Sequence, residues 1–128
     1  MVTPKLTGIV LFGKDLLATK EFYENLLQKD FTKERHGSGP EHYSMELDNL
    51  LMEIYPDDFL YGVEKSSTYQ SQMHFEVDHL DAVVMRVGKR YLFSRPERKS
   101  IGYRAIMRDP DNRLVYLLEK NQDHKKSK

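Results

Sequence analysis

The feature that most constrains the fold is one order of strand and helix patterns that occurs twice along the chain. The apolar segment "LTGIVLF" (residues 6–12) precedes a helix pattern and three strand patterns, and the same order begins again at "QMHFEV" (residues 72–77). The two copies share the pattern but little sequence identity, which predicts two similar modules. We expect module one at about residues 5–56 and module two at about residues 70–120, within a single domain spanning 1–128.

The helix of each module is predicted from its apolar spacing and its boundary residues. Asp15 and Asp78 stand where a carboxylate would cap the first turn, and Gly88 is placed to end the second helix. The i, i+3, i+4, i+7 spacing of a buried helix face is met by Leu80, Val83, Val84 and Val87. In the first helix, the side chains expected to lie on the core-facing side are those of Leu16, Tyr23, Leu26 and Leu27.

The remaining strands follow the helices in two groups of three. They are predicted at residues 31–35, 42–47, 50–56, 90–93, 103–107 and 113–119. "HGSGP" (residues 36–40) and Asp48-Asn49 have turn composition, and residues 57–69 are expected to link the modules. "SRPERKS" (residues 94–100) carries three basic side chains and is predicted to be a solvated loop, the alternative being a loop that attracts an anionic ligand.

Composition excludes several classes of function. The chain has 128 residues, 39% hydrophobic and 31% charged, which is typical of a globular protein large enough for a core. Twenty basic residues balance twenty acidic ones, so neither nucleic acid nor a membrane surface is expected as a partner. The chain has no cysteine, which excludes disulfides, zinc–thiolate sites and thiol nucleophiles. No apolar run approaches the ~18 residues of a membrane span and no signal-peptide pattern opens the chain, so a cytoplasmic protein is expected.

Three segments resemble the vicinal oxygen chelate superfamily, which includes glyoxalase I, extradiol dioxygenases, fosfomycin-resistance enzymes and bleomycin-resistance proteins. They are "GIVLFGKDLLATKEFYENLL" (8–27), "HFEVDHLDAVV" (74–84) and "GYRAIMRDPDNRLVYLLE" (102–119). The last is similar to the superfamily's Asp-Pro-Asp-Gly-Asn turn and final strand. The resemblance implies an α+β fold in which two βαβββ modules form curved mixed sheets around a cavity, and a homodimer with its cavities near the interface.

Strand alternation assigns a face to each side chain. The side chains expected to pack beneath the helices are Ile9, Leu11, Met52, Ile54, Met73, Phe75, Val77, Val115 and Leu117. The opposite, cavity-facing set is mostly apolar or aromatic, namely Val10, Phe12, Leu51, Tyr55, Leu114 and Tyr116, with Glu53, Gln72 and His74 as its polar members. An apolar hollow with few polar groups is typical of small-molecule sites.

The resemblance also assigns candidate metal positions. Metal enzymes of the superfamily hold a divalent ion with one residue from each of four strands, and the matching positions here are Gly8, Glu53, Gln72 and Tyr116. Glycine has no donor, and a neutral phenol with a pKa near ~10 is a poor ligand. Glu53 and Gln72 remain as possible ligands, whereas catalytic metal sites usually have three protein ligands. No cofactor is therefore predicted. The alternative is a divalent metal ion held by Glu53, Gln72 and His74.

The leading functional prediction is metal-independent binding or sequestration of a small, partly apolar molecule, as in bleomycin-resistance proteins. Its predicted contacts are Phe12, Glu53, Tyr55, Gln72, His74, Arg104 and Tyr116, and no catalytic residue is assigned. Strand alternation does not decide which face Arg104 occupies, because Tyr103 and Ile106 would lie on opposite faces of the strand and so give conflicting assignments. Two alternatives remain: a divalent-metal lyase, isomerase or dioxygenase, and a non-catalytic interaction module whose aromatic side chains fill the cavity. The sequence also leaves open whether the modules pair within one chain or between two.

Overall fold

A computed structural model describes residues 4–57 and 72–121 of the chain. The described residues form two compact units, 4–57 and 72–121, and each has the element order βαβββ. The predicted α+β class with two βαβββ modules is therefore confirmed. The predicted linker, residues 57–69, lies outside the described residues except for Asp57, and the single-domain assignment stays a prediction.

The first unit is a four-stranded mixed sheet with one helix. Its elements are β1 (Gly8–Gly13), α1 (Leu16–Leu27), β2 (Thr32–Glu34), β3 (His42–Leu47) and β4 (Leu50–Pro56). The strand order is β1-β4-β3-β2, with β1 parallel to β4 and the other pairs antiparallel. The crossover between the parallel strands contains α1, as parallel pairing requires.

The second unit repeats this arrangement. Its elements are β5 (Gln72–Glu76), α2 (Leu80–Val87), β6 (Leu92–Lys99), β7 (Gly102–Arg108) and β8 (Leu114–Lys120). The strand order β5-β8-β7-β6 corresponds position by position to that of the first unit, again with only the outer pair β5 and β8 parallel.

The largest departure from the predicted elements concerns residues 90–100. The strand predicted at 90–93 begins only at Leu92, because Lys89–Tyr91 forms a 3-10 turn after α2. The segment predicted as a loop, 94–100, is mostly strand β6, so that prediction was wrong. Its charged residues and Pro96 are tolerated because β6 is an edge strand that pairs only with β7, with two register shifts.

The core of each unit lies between its sheet and its helix, on the face that alternation predicts. In the first unit the buried side chains of this layer include Leu11, Met52, Ile54, Phe22, Tyr23 and Leu26. In the second they include Val115, Leu117, Ala105, Met107, Leu80, Val83, Val84 and Val87. Ile9, Met73 and Phe75 are half-buried, because they stand on the outer strands β1 and β5.

The helix ends test the predicted caps. Asp15 caps α1 as predicted, since its Oδ1 accepts a hydrogen bond from the Ala18 backbone N–H at 3.1 Å. Gly88 ends α2 as predicted, and its N–H donates to the Val84 carbonyl at 2.8 Å. Asp78 is not the cap of α2, because the helix begins one residue later, after His79. No helix in 4–57 or 72–121 has the length and apolar character that crossing a membrane requires.

Candidate functional site

Three of the predicted contact residues meet on the second sheet, on the face opposite α2. His74 pairs with Tyr116 across the parallel strands β5 and β8, and Ile106 pairs with Tyr116 across β7 and β8. Arg104 lies two residues before Ile106 on β7 and therefore shares this face. The structure thus decides the orientation of Arg104 that alternation left open.

The three side chains are layered. The imidazole of His74 stacks on the ring of Tyr116 with centroids 4.5 Å apart and an interplanar angle of 12°. The guanidinium carbon of Arg104 lies 5.7 Å from the Tyr116 ring centroid, within cation–π range. These groups border a pocket of about 320 Å³, which is lined by His74, Phe75, Glu76, Ile101, Arg104, Tyr116 and Leu118.

The charge that Arg104 brings to this pocket is not neutralised by a salt bridge within the described part of the chain. Glu97 lies opposite Arg104 on β6, and its carboxylate is 3.0 Å from Lys99. The hydrogen bond and charge of Lys99 lower the pKa of Glu97, and the charges of Arg104 and Arg95 lower it further. Glu76 is 3.4 Å from Lys120.

Gln72 has a more peripheral position than predicted. It lies on the same face of β5 as His74, opposite Leu114, at the exposed beginning of the strand. It does not belong to the pocket lining.

The other predicted contacts, Phe12, Glu53 and Tyr55, lie together on the first sheet, opposite α1. Phe12 pairs with Tyr55 across β1 and β4, with ring centroids 6.4 Å apart and tilted by 48°. Tyr55 stacks in turn on His42 of β3, with centroids 4.1 Å apart and an angle of 10°. Its hydroxyl lies 3.3 Å from His42 Nε2.

Sequence reasoning missed the residues that surround Glu53. Nε2 of His42 lies 3.7 Å from Oε2 of Glu53 and 3.5 Å from Oε1 of Glu34, and Nε2 of His36 lies 3.7 Å from Oε1 of Glu34. Each of these four side chains has a donor atom within 4.8 Å of the others. The sequence does contain an indication of this cluster. The two strands that flank the "HGSGP" turn form a hairpin, and the hairpin pairs Glu34 with His42.

The negative charge of this cluster affects the neighbouring tyrosine. Burial, and then the carboxylates of Glu53 and Glu34, raise the pKa of the Tyr55 phenol above its ordinary value. Tyr55 therefore remains a neutral hydrogen-bond donor at neutral pH. The metal set predicted as an alternative, Glu53, Gln72 and His74, draws on both units and stays a prediction.

Comparison with known proteins supports the fold. No protein-family model and no curated protein matches the chain in sequence. Among solved structures, the antibiotic binding protein TnmS3 from Streptomyces sp. CB03234 is 15% identical, with a TM-score of 0.69 over 94% of this chain and 99% of that one. A glyoxalase/bleomycin resistance protein/dioxygenase family enzyme from Burkholderia phytofirmans PsJN is 16% identical, with a TM-score of 0.67 over 89% and 97%. A protein of the mobile metagenome of V. Pseudocholerae is 20% identical, with a TM-score of 0.57 over 91% and 95%.

These similarities define the class of the protein by its fold. The chain has the glyoxalase/bleomycin resistance/dioxygenase fold, as the sequence resemblance implied. The fold hosts both enzymes and binding proteins, so function has to be argued from the side chains of the site.

Proposed function

We propose that this protein binds and sequesters a small, partly apolar, planar molecule that carries an anionic group. The proposed site is the pocket on the second sheet, and binding there needs no metal ion. The observation that carries the proposal is the layered arrangement of His74, Tyr116 and Arg104 beside that pocket.

The chemistry of the pocket favours this ligand class over others. The aromatic side chains of Tyr116 and His74 line the pocket, and Ile101 and Leu118 supply apolar contact. Arg104 supplies a permanent positive charge with donors arranged to fit a carboxylate or a phosphate. A volume of about 320 Å³ lies at the lower end of the usual range for ligand pockets, which favours a small molecule.

Two further observations support binding without metal chemistry. Tyr116 aligns with the position at which metal enzymes of the vicinal oxygen chelate superfamily have a carboxylate ligand. In this protein the Tyr116 ring stacks on His74. The structurally similar TnmS3 is an antibiotic binding protein, which is a precedent for ligand binding on this fold.

A matched pair of ligands tests the proposal. We expect 2-naphthoate, which is planar and anionic, to bind more tightly than 2-naphthamide, which has the same ring system without the charge. Arg104→Gln should weaken naphthoate binding about 10- to 100-fold, since hydrogen bonds to charged groups contribute about 1.5–3 kcal/mol, and it should leave naphthamide binding unchanged. Isothermal titration calorimetry measures both.

The control is Arg98→Gln. Arg98 also lies over a tyrosine ring, that of Tyr103 at 4.9 Å, but it does not belong to the pocket lining. This variant should bind naphthoate as the unsubstituted protein does. Equal losses in the Arg98 and Arg104 variants, or no preference between the two ligands, would contradict the proposal.

A further inference from the structure

We propose that Glu34, His36, His42 and Glu53 form a binding site for one divalent transition-metal ion, for which Zn²⁺ is the best fit. The site would lie entirely within the first unit, on β2, the turn after it, β3 and β4. It therefore differs from the superfamily's arrangement of one ligand from each of four strands in two modules. It also goes beyond the proposed function, which concerns the second unit.

The spacing of the donor atoms carries the proposal. Zinc bound tetrahedrally at about 2.0–2.2 Å from nitrogen and oxygen ligands separates those ligands by about 3.3–3.6 Å. The separations are 3.5 Å for His42–Glu34, 3.7 Å for His42–Glu53 and 3.7 Å for His36–Glu34. No donor lies more than 4.8 Å from another. Small side-chain adjustments would thus close the four donors around one ion.

His42 is oriented as a ligand would be. Its side chain is only 1% exposed, and Nδ1 lies 3.2 Å from the Pro40 carbonyl, to which an Nδ1–H can donate. That hydrogen bond leaves the lone pair on Nε2, which faces Glu34 and Glu53. Metal-binding histidines typically use a backbone carbonyl in this way to fix the tautomer and the ring orientation.

Hydrogen bonding accounts for one of the contacts of His42 Nε2, since the Tyr55 hydroxyl lies 3.3 Å away and can donate to it. The carboxylate oxygens of Glu34 and Glu53 lie 3.5 and 3.7 Å from the same atom. Charge-assisted hydrogen bonds are usually about 2.7–2.9 Å long. The two carboxylate contacts are too long for such bonds and lie close to the separation of ligands that share an ion.

The donor types select the ion. Two imidazoles and two carboxylates suit zinc and its first-row neighbours, whereas Mg²⁺ and Ca²⁺ prefer six or more oxygen ligands. Four protein donors complete a tetrahedral shell and leave no open position, which is the pattern of a structural site. The ion would fasten β2, an edge strand of three residues, to β3 and β4.

Zinc titration of chelator-treated protein tests the site. We expect one Zn²⁺ per chain by calorimetry, a rise in melting temperature on binding, and no comparable binding of Mg²⁺. Glu34→Gln and His36→Gln should each weaken zinc affinity at least about tenfold, because loss of even an outer-shell partner costs about 10- to 100-fold. Glu34 and His36 are 37% and 72% exposed, so both variants should fold.

Matched controls separate this site from incidental binding. Glu41→Gln removes an exposed carboxylate that pairs with Lys33 and Arg35, and His79→Gln removes an exposed imidazole in the other unit. Both should bind zinc as the unsubstituted protein does. Cobalt substitution gives a second readout, since tetrahedral Co²⁺ absorbs strongly in the visible range and the absorption should disappear in Glu53→Gln. Absence of stoichiometric zinc binding, or affinity equal in Glu34→Gln and Glu41→Gln, would overturn the inference.

Discussion

At the scale of single residues, the turn between β7 and β8 depends on the carboxylate of Asp109. Its Oδ1 accepts the backbone N–H groups of Asp111 at 2.8 Å and Arg113 at 3.0 Å, and its Oδ2 pairs with the Arg113 guanidinium at 2.9 Å. Asn112 adopts a left-handed φ of 69°, which asparagine tolerates better than most residues. The side chain of Asp109 therefore holds the two ends of this turn together.

The burial of this ion pair leads to a prediction. Asp109 is 2% exposed and Arg113 is 4% exposed, so Arg113→Met would remove a buried guanidinium that pairs with the carboxylates of Asp109 and Asp111. We expect the free energy of unfolding to fall by about 3–5 kcal/mol, as is usual when one partner of a buried pair is removed. Urea denaturation measures the change.

An exposed pair provides the control for this prediction. Lys99 and Glu97 are 3.0 Å apart but 41% and 56% exposed, so Lys99→Met should cost less than about 1 kcal/mol. A similar loss in the two variants would show that burial does not set the strength of the Asp109–Arg113 pair.

At the scale of elements, helix α2 obtains its N-terminal cap from another element. The preceding residue, His79, makes no capping hydrogen bond, and the Leu80 N–H instead donates to Oε1 of Glu119 on β8 at 2.8 Å. The same helix is tied to β7, because the Tyr103 hydroxyl donates to Oδ1 of Asp81 at 3.0 Å. That hydrogen bond is the main reason that the pKa of Tyr103 is raised.

Substitution of the two candidate caps distinguishes local from tertiary capping. Glu119→Ala should lower the free energy of unfolding by about 1 kcal/mol, a typical value for loss of a cap. Asp78→Ala should change it by less than about 0.5 kcal/mol, as is usual for exposed positions. Chemical denaturation of both variants checks this, and a larger effect at Asp78 would contradict the capping role of Glu119.

At the scale of the whole molecule, each unit has one face covered by its helix and one that carries the candidate contacts. On the latter face of the first sheet, Val10 and Leu51 remain 43% and 37% exposed. Neighbouring exposed apolar side chains often mark a surface that another protein covers. The predicted homodimer stays a prediction, in which this face would be covered.

Size-exclusion chromatography with light scattering tests the homodimer. We expect twice the mass of one chain for the unsubstituted protein and a shift toward the monomer for Leu51→Lys, because a buried lysine would be poorly solvated. Leu17→Lys, at a 63% exposed position on α1, should leave the dimer unchanged. A monomeric unsubstituted protein, or equal dissociation of the two variants, would contradict the prediction.

Residue patterns along the chain were enough to predict the order of the elements and the face of most side chains. Helix and strand periods are local properties, so the packing positions of Met52, Ile54, Val115 and Leu117 followed from alternation alone. The same alternation placed Glu53, Tyr55 and Tyr116 on the faces opposite the helices.

Residue patterns did not predict which side chains meet across strands, and these contacts became visible in the folded units. The layering of Arg104 over Tyr116 and the cluster around His42 depend on the register between neighbouring strands, and the cap from Glu119 joins residues 39 positions apart in the chain. The strand character of β6 depends on its pairing with β7, because its own charged composition favours a loop. Register and edge position result from packing of the whole unit, and local propensity does not encode them.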